Sequence, residues 1–184
     1  MEVSAAPRGR PRSEAARRAI LSAALAAIRA DGYGAVTVER IAQRAGVGKQ
    51  TIYRWWRGKA EVVLDAVAQD ATATIVPEHT DDPAADLRRF LAASFRRIHE
   101  EGADVLRGLV AEAQIDARFR TLLREHFLAG RRAVLRAVLA RTATRVPLDL
   151  AVDFVFGAMW YRLLDDHAPL DDELATEIVR ALLG

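Results

Sequence analysis

The chain has 184 residues, of which 51% are hydrophobic and 28% are charged, so it can bury the core of one medium domain or of two small ones. It contains no cysteine, which excludes disulfide bonds and thiolate metal sites and is typical of a reducing compartment. The longest apolar run, near residues 154–161, is far shorter than the ~20 residues of a membrane span, and we expect a cytoplasmic protein without a signal peptide or a membrane segment.

The net charge of +2 is divided unevenly along the chain. Residues 1–60 carry 12 Lys and Arg against 4 Asp and Glu, a net of +8, whereas residues 61–184 carry 15 against 21, a net of −6. A basic first third joined to an acidic remainder is the charge pattern expected of a nucleic-acid-binding head on a body that does not bind nucleic acid.

Residues 1–12 are rich in proline, glycine and arginine and lack a hydrophobic period, which predicts a disordered basic arm. The segment Arg8-Gly9-Arg10-Pro11-Arg12 resembles the core of an AT-hook, and a narrow A·T minor groove attracts inserted arginine side chains. We therefore expect Arg8, Arg10 and Arg12 to contact the minor groove. The alternative is a solvated basic tail that adds only non-specific affinity.

A first helix is predicted from a cap at Ser13 to about Ala30, with a break at residues 31–34. Thr37 can cap a second helix, in which apolar residues recur at helical spacing until Gly46 ends it. A third helix opens at Gly48 and is predicted to carry Ile52, Tyr53, Trp55 and Trp56. Helix, short turn, helix is the layout of a helix-turn-helix, whose second helix enters the DNA major groove, and residues 13–58 are the predicted DNA-binding domain.

The first turn of the third helix carries side chains suited to base readout. Glutamine pairs with adenine and lysine with guanine in the major groove, so we expect Lys49 and Gln50 to contact bases. The hydroxyl groups of Thr37, Thr51 and Tyr53 suit phosphate oxygens. Lys59 starts a fourth helix, whose free N–H groups also favour anions, and is predicted to contact phosphate.

The stretch GVGKQTIYRWWRGKAEVVL, residues 46–64, resembles the signature of the tetracycline-repressor (TetR) family of bacterial transcriptional regulators. That signature has a tyrosine in the recognition helix, an aromatic residue three positions later and a lysine that starts the next helix; here these are Tyr53, Trp56 and Lys59. The resemblance covers residues 13–67 in detail. It implies that Trp55 faces the DNA as a further base contact, and repression is the commoner mode of the family.

Beyond the head, the pattern predicts helices only. A polar break at residues 77–83 precedes a fifth helix over 84–101, which Gly102 ends, a sixth over 103–114 and a seventh over 117–142. After Pro147, an eighth covers 148–165 and a ninth 171–183. The predicted fold is therefore all-α, with about nine helices: a three-helix head and a C-terminal regulatory and dimerisation domain, residues 59–184.

The eighth helix is apolar on nearly all sides, so it must be buried on more than one side, and an exposed apolar patch usually marks an interface. The resemblance implies a homodimer formed by a four-helix bundle of the last two helices. The residues predicted at this interface are Phe154, Gly157, Ala158, Tyr161, Leu174, Ile178 and Leu182. A twofold dimer predicts a palindromic double-stranded operator.

The resemblance also implies a pocket for a small effector in the body, and the apolar residues there suit a hydrophobic one. The candidate residues are Phe95, His99, His126, Phe127, Met159, Trp160 and Arg162, although core packing or a solvated face is the favoured interpretation for any single one of them. No metal site is expected, because the two candidate histidines lack a carboxylate at ligand spacing, and no cofactor is predicted.

Two alternatives to a ligand-released repressor remain open. One is a DNA-binding regulator without a small-molecule effector, controlled by a protein or by nothing. The other is an α-helical enzyme, which is disfavoured because the sequence contains no phosphate-binding glycine loop after a strand and no readable nucleophile–histidine–acid set. No catalytic residue is therefore assigned.

Overall fold

The computed structural model describes residues 10–184, apart from the side chains of residues 10–13, 100 and 101. These residues form α-helices joined by turns and two π-helical turns, with no strand among them, and the predicted all-α class is confirmed. No helix in this part of the chain combines the length and the apolar character needed to cross a membrane. The chain divides into two compact units, the first ending at Val67 and the second beginning at Ala68, rather than between residues 58 and 59.

The first unit contains α1 (Arg10–Ala35), α2 (Val38–Ala45), α3 (Lys49–Tyr53) and the N-terminal part of α4 (Lys59–Thr74). The helix α1 begins at Arg10 rather than after the predicted cap at Ser13. A proline in the first turn is compatible with a helix, since its missing N–H would have no helical partner there. The predicted break is a kink at Gly32, whose φ of 73° is outside the helical region.

The core of the first unit takes side chains from all four helices. Ile52 is the buried residue of the short α3, so this one side chain anchors α3 to the rest of the unit. Other fully buried residues of the unit are Ile20, Ala24, Ala27, Val36, Ile41, Val62, Val63 and Ala66. Burial of these apolar side chains is the main force that holds the helices together.

The second unit contains α5 (Pro83–Arg97), α6 (Ala103–Ile115), α7 (Ala117–Leu123), α8 (Ala129–Leu139), α9 (Leu148–Asp165) and α10 (Asp172–Leu183). The helix α9 has the predicted bounds. At the start of α10, the Asp171 side chain accepts a hydrogen bond of 2.9 Å from the Leu174 amide, which satisfies one of the free N–H groups of the first turn.

Two π-helical turns differ from the prediction. Ile98–Gly102 joins α5 to α6, where an end at Gly102 was expected, and Arg124–Leu128 joins α7 to α8 inside the expected seventh helix. A π turn holds one extra residue and keeps the chain helical. Phe95 before the first turn and Leu106 after it are both buried in the same core, so burial of both side chains outweighs the stop signal of the glycine.

A buried carboxylate fixes the loop before α5. The Asp86 side chain has no exposed surface and accepts hydrogen bonds from the amide and hydroxyl groups of Thr80, at 2.8 and 2.7 Å, and from Arg141 of the segment after α8, at 2.6 Å. Burial acts to raise the pKa of Asp86, but the hydrogen bonds from Thr80 and the charge of Arg141 outweigh it, so the pKa is lowered well below its ordinary value. The ionised carboxylate, which is part of α5, therefore ties the loop to α5 and to the segment after α8.

Candidate nucleic-acid interface

The turn between α2 and α3 has the geometry that its sequence predicts. The Thr37 hydroxyl accepts a hydrogen bond of 3.2 Å from the Arg40 amide and caps α2. Gly46 then takes a left-handed conformation, with φ 65° and ψ 31°, which a residue without a Cβ adopts at little cost. The Val47 amide donates 3.0 Å to the Ala42 carbonyl and closes the turn, so the direction of α3 is set by backbone hydrogen bonds.

The first turn of α3 presents polar side chains to solvent. Lys49 and Gln50 are exposed, Tyr53 is 48% exposed and Thr51 is half-buried. Ile52 points the opposite way, into the core. Four of the predicted DNA-contacting side chains therefore lie on this one short helix, on a rigid support, and Thr37 is exposed at the start of α2.

The helix α3 ends at Tyr53, so the prediction that Trp55 and Trp56 lie within it was wrong. Trp56 is buried in the core, where its indole N–H donates to Asp65 at 2.9 Å, while its amide still donates 3.0 Å to the Ile52 carbonyl. Trp55 lies in the following turn, half-buried and edge-to-face against Trp56, with the ring centroids 5.4 Å apart. Arg17 also pairs with Asp65, at 3.0 Å.

Lys59 holds the start of α4 against the end of α1. Its Nζ donates to the carbonyl oxygens of Tyr33 and Gly34, at 3.1 and 3.5 Å, and lies 4.5 Å from the centre of the Tyr33 ring. A lysine ammonium has three donors, so one remains for a phosphate oxygen. Lys59 thus has a structural role that the sequence did not indicate.

An ion pair links the two helices of the motif. Lys49 Nζ lies 3.0 Å from Glu39 Oε1, across the turn. A hydrogen bond to its own backbone, followed by the one from Lys49, lowers the pKa of Glu39, and the hydrogen bond to Glu39 raises the pKa of Lys49. Glu39 could not be singled out from the sequence, because an exposed charge gives no periodic signal.

The predicted minor-groove arm lies mostly outside the described residues. Arg8 is not described, and Arg10 and Arg12 belong to the first turn of α1. Their side chains are among those not described, so minor-groove contact stays a prediction.

In the second unit, the seven predicted pocket residues do not come together. Phe95 and Met159 are buried core residues, and Phe127 and Trp160 pack against that core. His126 is exposed in the second π turn. His99 and Arg162, in contrast, line one cleft of about 370 Å³.

That cleft lies beside the first π turn, α6 and the end of α9. Its polar lining includes Arg107, whose Nε donates 2.7 Å to the Leu163 carbonyl, and Arg162, whose Nη1 donates 2.8 Å to the Pro169 carbonyl. Ile98 and Leu170 add apolar surface. The volume is within the range of small-molecule sites. No group of three or more His, Asp or Glu side chains suited to a metal occurs among the residues described.

One face of α9 carries exposed residues, most of them large and apolar, that follow one another at intervals of alternately four and three residues. Phe154 is 52% and Tyr161 64% exposed, Gly157 lies between them, and Ala158 beside it is half-buried. Large exposed residues extend the row at both ends, and the whole row, which we call the α9 seam, is Leu150, Phe154, Gly157, Tyr161 and Leu164. This is the repeat with which helices pair in coiled coils.

The α10 residues predicted at the same interface have a different position. Leu174, Ile178 and Leu182 are buried in the core of their own unit, where α10 packs on α5. Their apolar character is thus accounted for within one chain.

Both units of the chain match models of known protein families. Residues 20–66 match "Bacterial regulatory proteins, tetR family" and residues 77–182 match "Tetracyclin repressor-like, C-terminal domain". An HTH-type transcriptional regulator of Bacillus subtilis, YdeS, is 30% identical over 94% of this chain and 90% of its own length. The DNA-binding transcriptional repressor TetR of Mycobacteroides abscessus is 27% identical over 94% of both chains.

Among solved structures, the TetR family transcription regulator SCO0332 is 31% identical, with a TM-score of 0.79 over 89% of this chain and 94% of that one. Its likeness covers both units. This likeness, the helix-turn-helix geometry and the matches to the N-terminal and C-terminal family models establish that this chain is not an enzyme but belongs to the TetR family of DNA-binding transcriptional regulators.

Proposed function

We propose that the protein is a homodimeric repressor that acts in the cytoplasm, binds a palindromic operator and is released by a small effector. The observation that carries this proposal is the first turn of α3, where Lys49 and Gln50 are exposed while Ile52 anchors the helix. In helix-turn-helix proteins this end of the recognition helix contacts base edges.

Each exposed side chain receives a role from its chemistry. Gln50 and Lys49 read bases, because their donors and acceptors match adenine and guanine edges. The hydroxyl groups of Thr37, Thr51 and Tyr53 and the remaining donor of Lys59 bind phosphate, which fixes the register on the duplex. Trp55 is half-buried against Trp56, and its outer edge is left for a thymine methyl group or a sugar.

The α9 seam supports the dimer. A twofold axis through it would pair two copies of the same apolar row, and each would cover the other. The proposed interface therefore keeps Phe154, Gly157, Ala158 and Tyr161, whereas α10 contributes its exposed face rather than its buried leucine and isoleucine side chains. Such a dimer carries two α3 helices and requires two half-sites, spaced by ~34–36 Å or a multiple of it.

The cleft beside the first π turn supports the effector. His99 and Arg162 at its edge offer hydrogen bonds, and Ile98 and Leu170 offer apolar contact, so an apolar molecule with one polar group fits its chemistry. A compound that binds only the folded protein raises its melting temperature. Melting scans with a panel of small apolar compounds, repeated with the Arg162→Ala variant, test this part of the proposal. If no compound shifts the wild-type transition, regulation without a small effector is favoured.

Selection of bound duplexes from a random pool, at one salt concentration near physiological, tests the operator. A recovered palindrome supports a dimeric repressor, and recovery of unpatterned DNA would contradict the proposal. Gln50→Ala should then weaken binding to the selected site by roughly 5–150-fold, the equivalent of one lost bidentate contact, and leave random DNA unaffected. Gln114→Ala, which changes an exposed glutamine of the body, is the matched control and should change neither affinity.

A further inference from the structure

The ion pair between Glu39 and Lys49 lies on the surface of the motif that reads DNA. The side chains are 59% and 54% exposed, and the charged atoms are 3.0 Å apart. An exposed pair of this kind contributes little to folding stability, because water screens it. Because the pair lies at the start of α3, it can instead affect how Lys49 contacts DNA.

Lys49 is unfavourably placed for the helix that it begins. The N-terminus of a helix carries a partial positive charge, which favours acidic residues and disfavours lysine. The first turn of α3 contains no acidic residue, and its cap, Gly48, has no side chain to accept a hydrogen bond. Glu39, in the first turn of α2, supplies from the neighbouring helix the negative charge that α3 lacks.

The pair also determines which groups Lys49 can reach. One of its three donors is directed to Glu39 Oε1, so two remain for a base edge in front of α3. To reach a phosphate elsewhere, the ammonium must leave Glu39, and the carboxylate would then face the DNA polyanion without the positive charge of Lys49. Unpaired like charges at an interface are a common means of rejecting wrong partners.

We propose that Glu39 is a specificity-determining residue of this regulator: it holds Lys49 for a guanine edge and penalises DNA that does not offer that contact. The proposal rests on the proposed reading of bases by the first turn of α3. It assigns the two residues opposite effects, since Lys49 adds affinity for the operator and Glu39 removes affinity for other sequences.

The test compares Glu39→Gln, Lys49→Ala and the double variant on the selected operator and on random duplex DNA, over a salt series. Glutamine keeps the size of the side chain and a carbonyl acceptor but removes the charge. Glu14→Gln is the matched control, because Glu14 is an exposed glutamate of α1 in the same unit and the substitution makes the same change in net charge.

Glu39→Gln should tighten binding to random DNA more than Glu14→Gln does and lower the ratio of operator to random affinity. A released Lys49 adds about one phosphate contact, so the salt dependence of random binding should steepen by about 0.9 in slope, or ~3.5-fold more loss of affinity between 50 and 200 mM salt. In the Lys49→Ala background, the effect of Glu39→Gln should shrink to that of the control.

Three results would overturn the proposal. Equal effects of Glu39→Gln and Glu14→Gln would show that Glu39 acts only through the net charge of the protein. A full effect of Glu39→Gln in the Lys49→Ala background would show that Glu39 does not act through Lys49. Loss of operator binding with no gain on random DNA would identify Glu39 as a direct base contact, for instance to a cytosine amino group. Thermal melts of each variant check that folding is unchanged.

Failure of the proposed function gives a different result from failure of this inference. If the wild-type protein selects no operator, the proposed base readout fails. The random-DNA and salt measurements on Glu39→Gln remain decisive in that case, because they need no operator and report directly whether Glu39 restrains Lys49.

Discussion

Replacing Phe154 by alanine tests the proposed partner face on α9. The ring is 52% exposed in the single chain, and a phenylalanine buries about 200 Å² when fully covered, so about 100 Å² is left for a partner to bury. At ~25 cal/mol per Å² this is worth about 2.5 kcal/mol. A twofold interface contains the residue twice, which gives an upper value of about 5 kcal/mol for the dimer.

Analytical ultracentrifugation over a dilution series measures the effect. A loss of about 5 kcal/mol weakens dimerisation by roughly 10³–10⁴-fold, so Phe154→Ala should be monomeric at concentrations where the wild-type protein is dimeric. The variant should bind the operator more weakly, and its binding should depend more steeply on protein concentration, because two monomers must then associate as they bind DNA. Ile115→Ala is the matched control: Ile115 is 86% exposed at the end of α6 and is not part of the α9 seam.

Two results would refute this reasoning. An unchanged dimer in Phe154→Ala would place the interface elsewhere, and equal weakening by Ile115→Ala would show that exposed apolar area in general, not the α9 seam, holds the dimer. At protein concentrations low enough for both proteins to be monomeric, the melting temperature of Phe154→Ala should be nearly that of the wild-type protein, since half of this side chain is exposed within its own chain. A large drop there would identify Phe154 as a core residue instead.

Three further substitutions have signs that follow from the structure. Gly157→Ala should stabilise the single chain by about 1 kcal/mol, since alanine is the better helix former and its Cβ meets nothing within 4 Å, yet weaken a closely packed dimer; melting and ultracentrifugation separate the two effects. Gly46→Ala should cost the first unit about 1 kcal/mol in urea unfolding because φ is 65° there, and Gly46→Asn should cost less. Because the pKa of Asp86 is lowered in the folded protein, its ionised carboxylate stabilises the second unit at pH values above the ordinary aspartate pKa of ~3.9, and this stability is lost as the pH falls below that pKa. The urea concentration at the unfolding midpoint should therefore fall more steeply between pH 5 and 3 in the wild-type protein than in Asp86→Asn.

Helix ends were predicted well where a local signal fixes them. Thr37 and Gly46 act through hydrogen bonds and backbone conformation within a few residues, so the sequence is enough to locate α2. Pro147 and Asp171 likewise begin α9 and α10.

Features that depend on distant contacts were not predictable. No local residue signals the end of α3 at Tyr53, nor the hydrogen bond that Trp56 donates to Asp65 on another helix. The apolar stripe of α10 was recognised, but sequence alone does not tell whether such a stripe packs on its own chain or on a second copy. For the same reason, the exposed Glu39 was missed and most of the predicted pocket residues proved to be core.

The two π turns have a consequence for comparing this protein with its relatives. Each residue turns an α-helix by about 100°, so a single insertion would normally rotate every later side chain off its face. A π turn absorbs one extra residue locally and leaves the helices on both sides in phase. Deleting one residue from Ile98–Gly102 or Arg124–Leu128 would restore an ordinary helical turn. Single-residue gaps in alignments of this family should therefore collect at these two places rather than in the flanking helices.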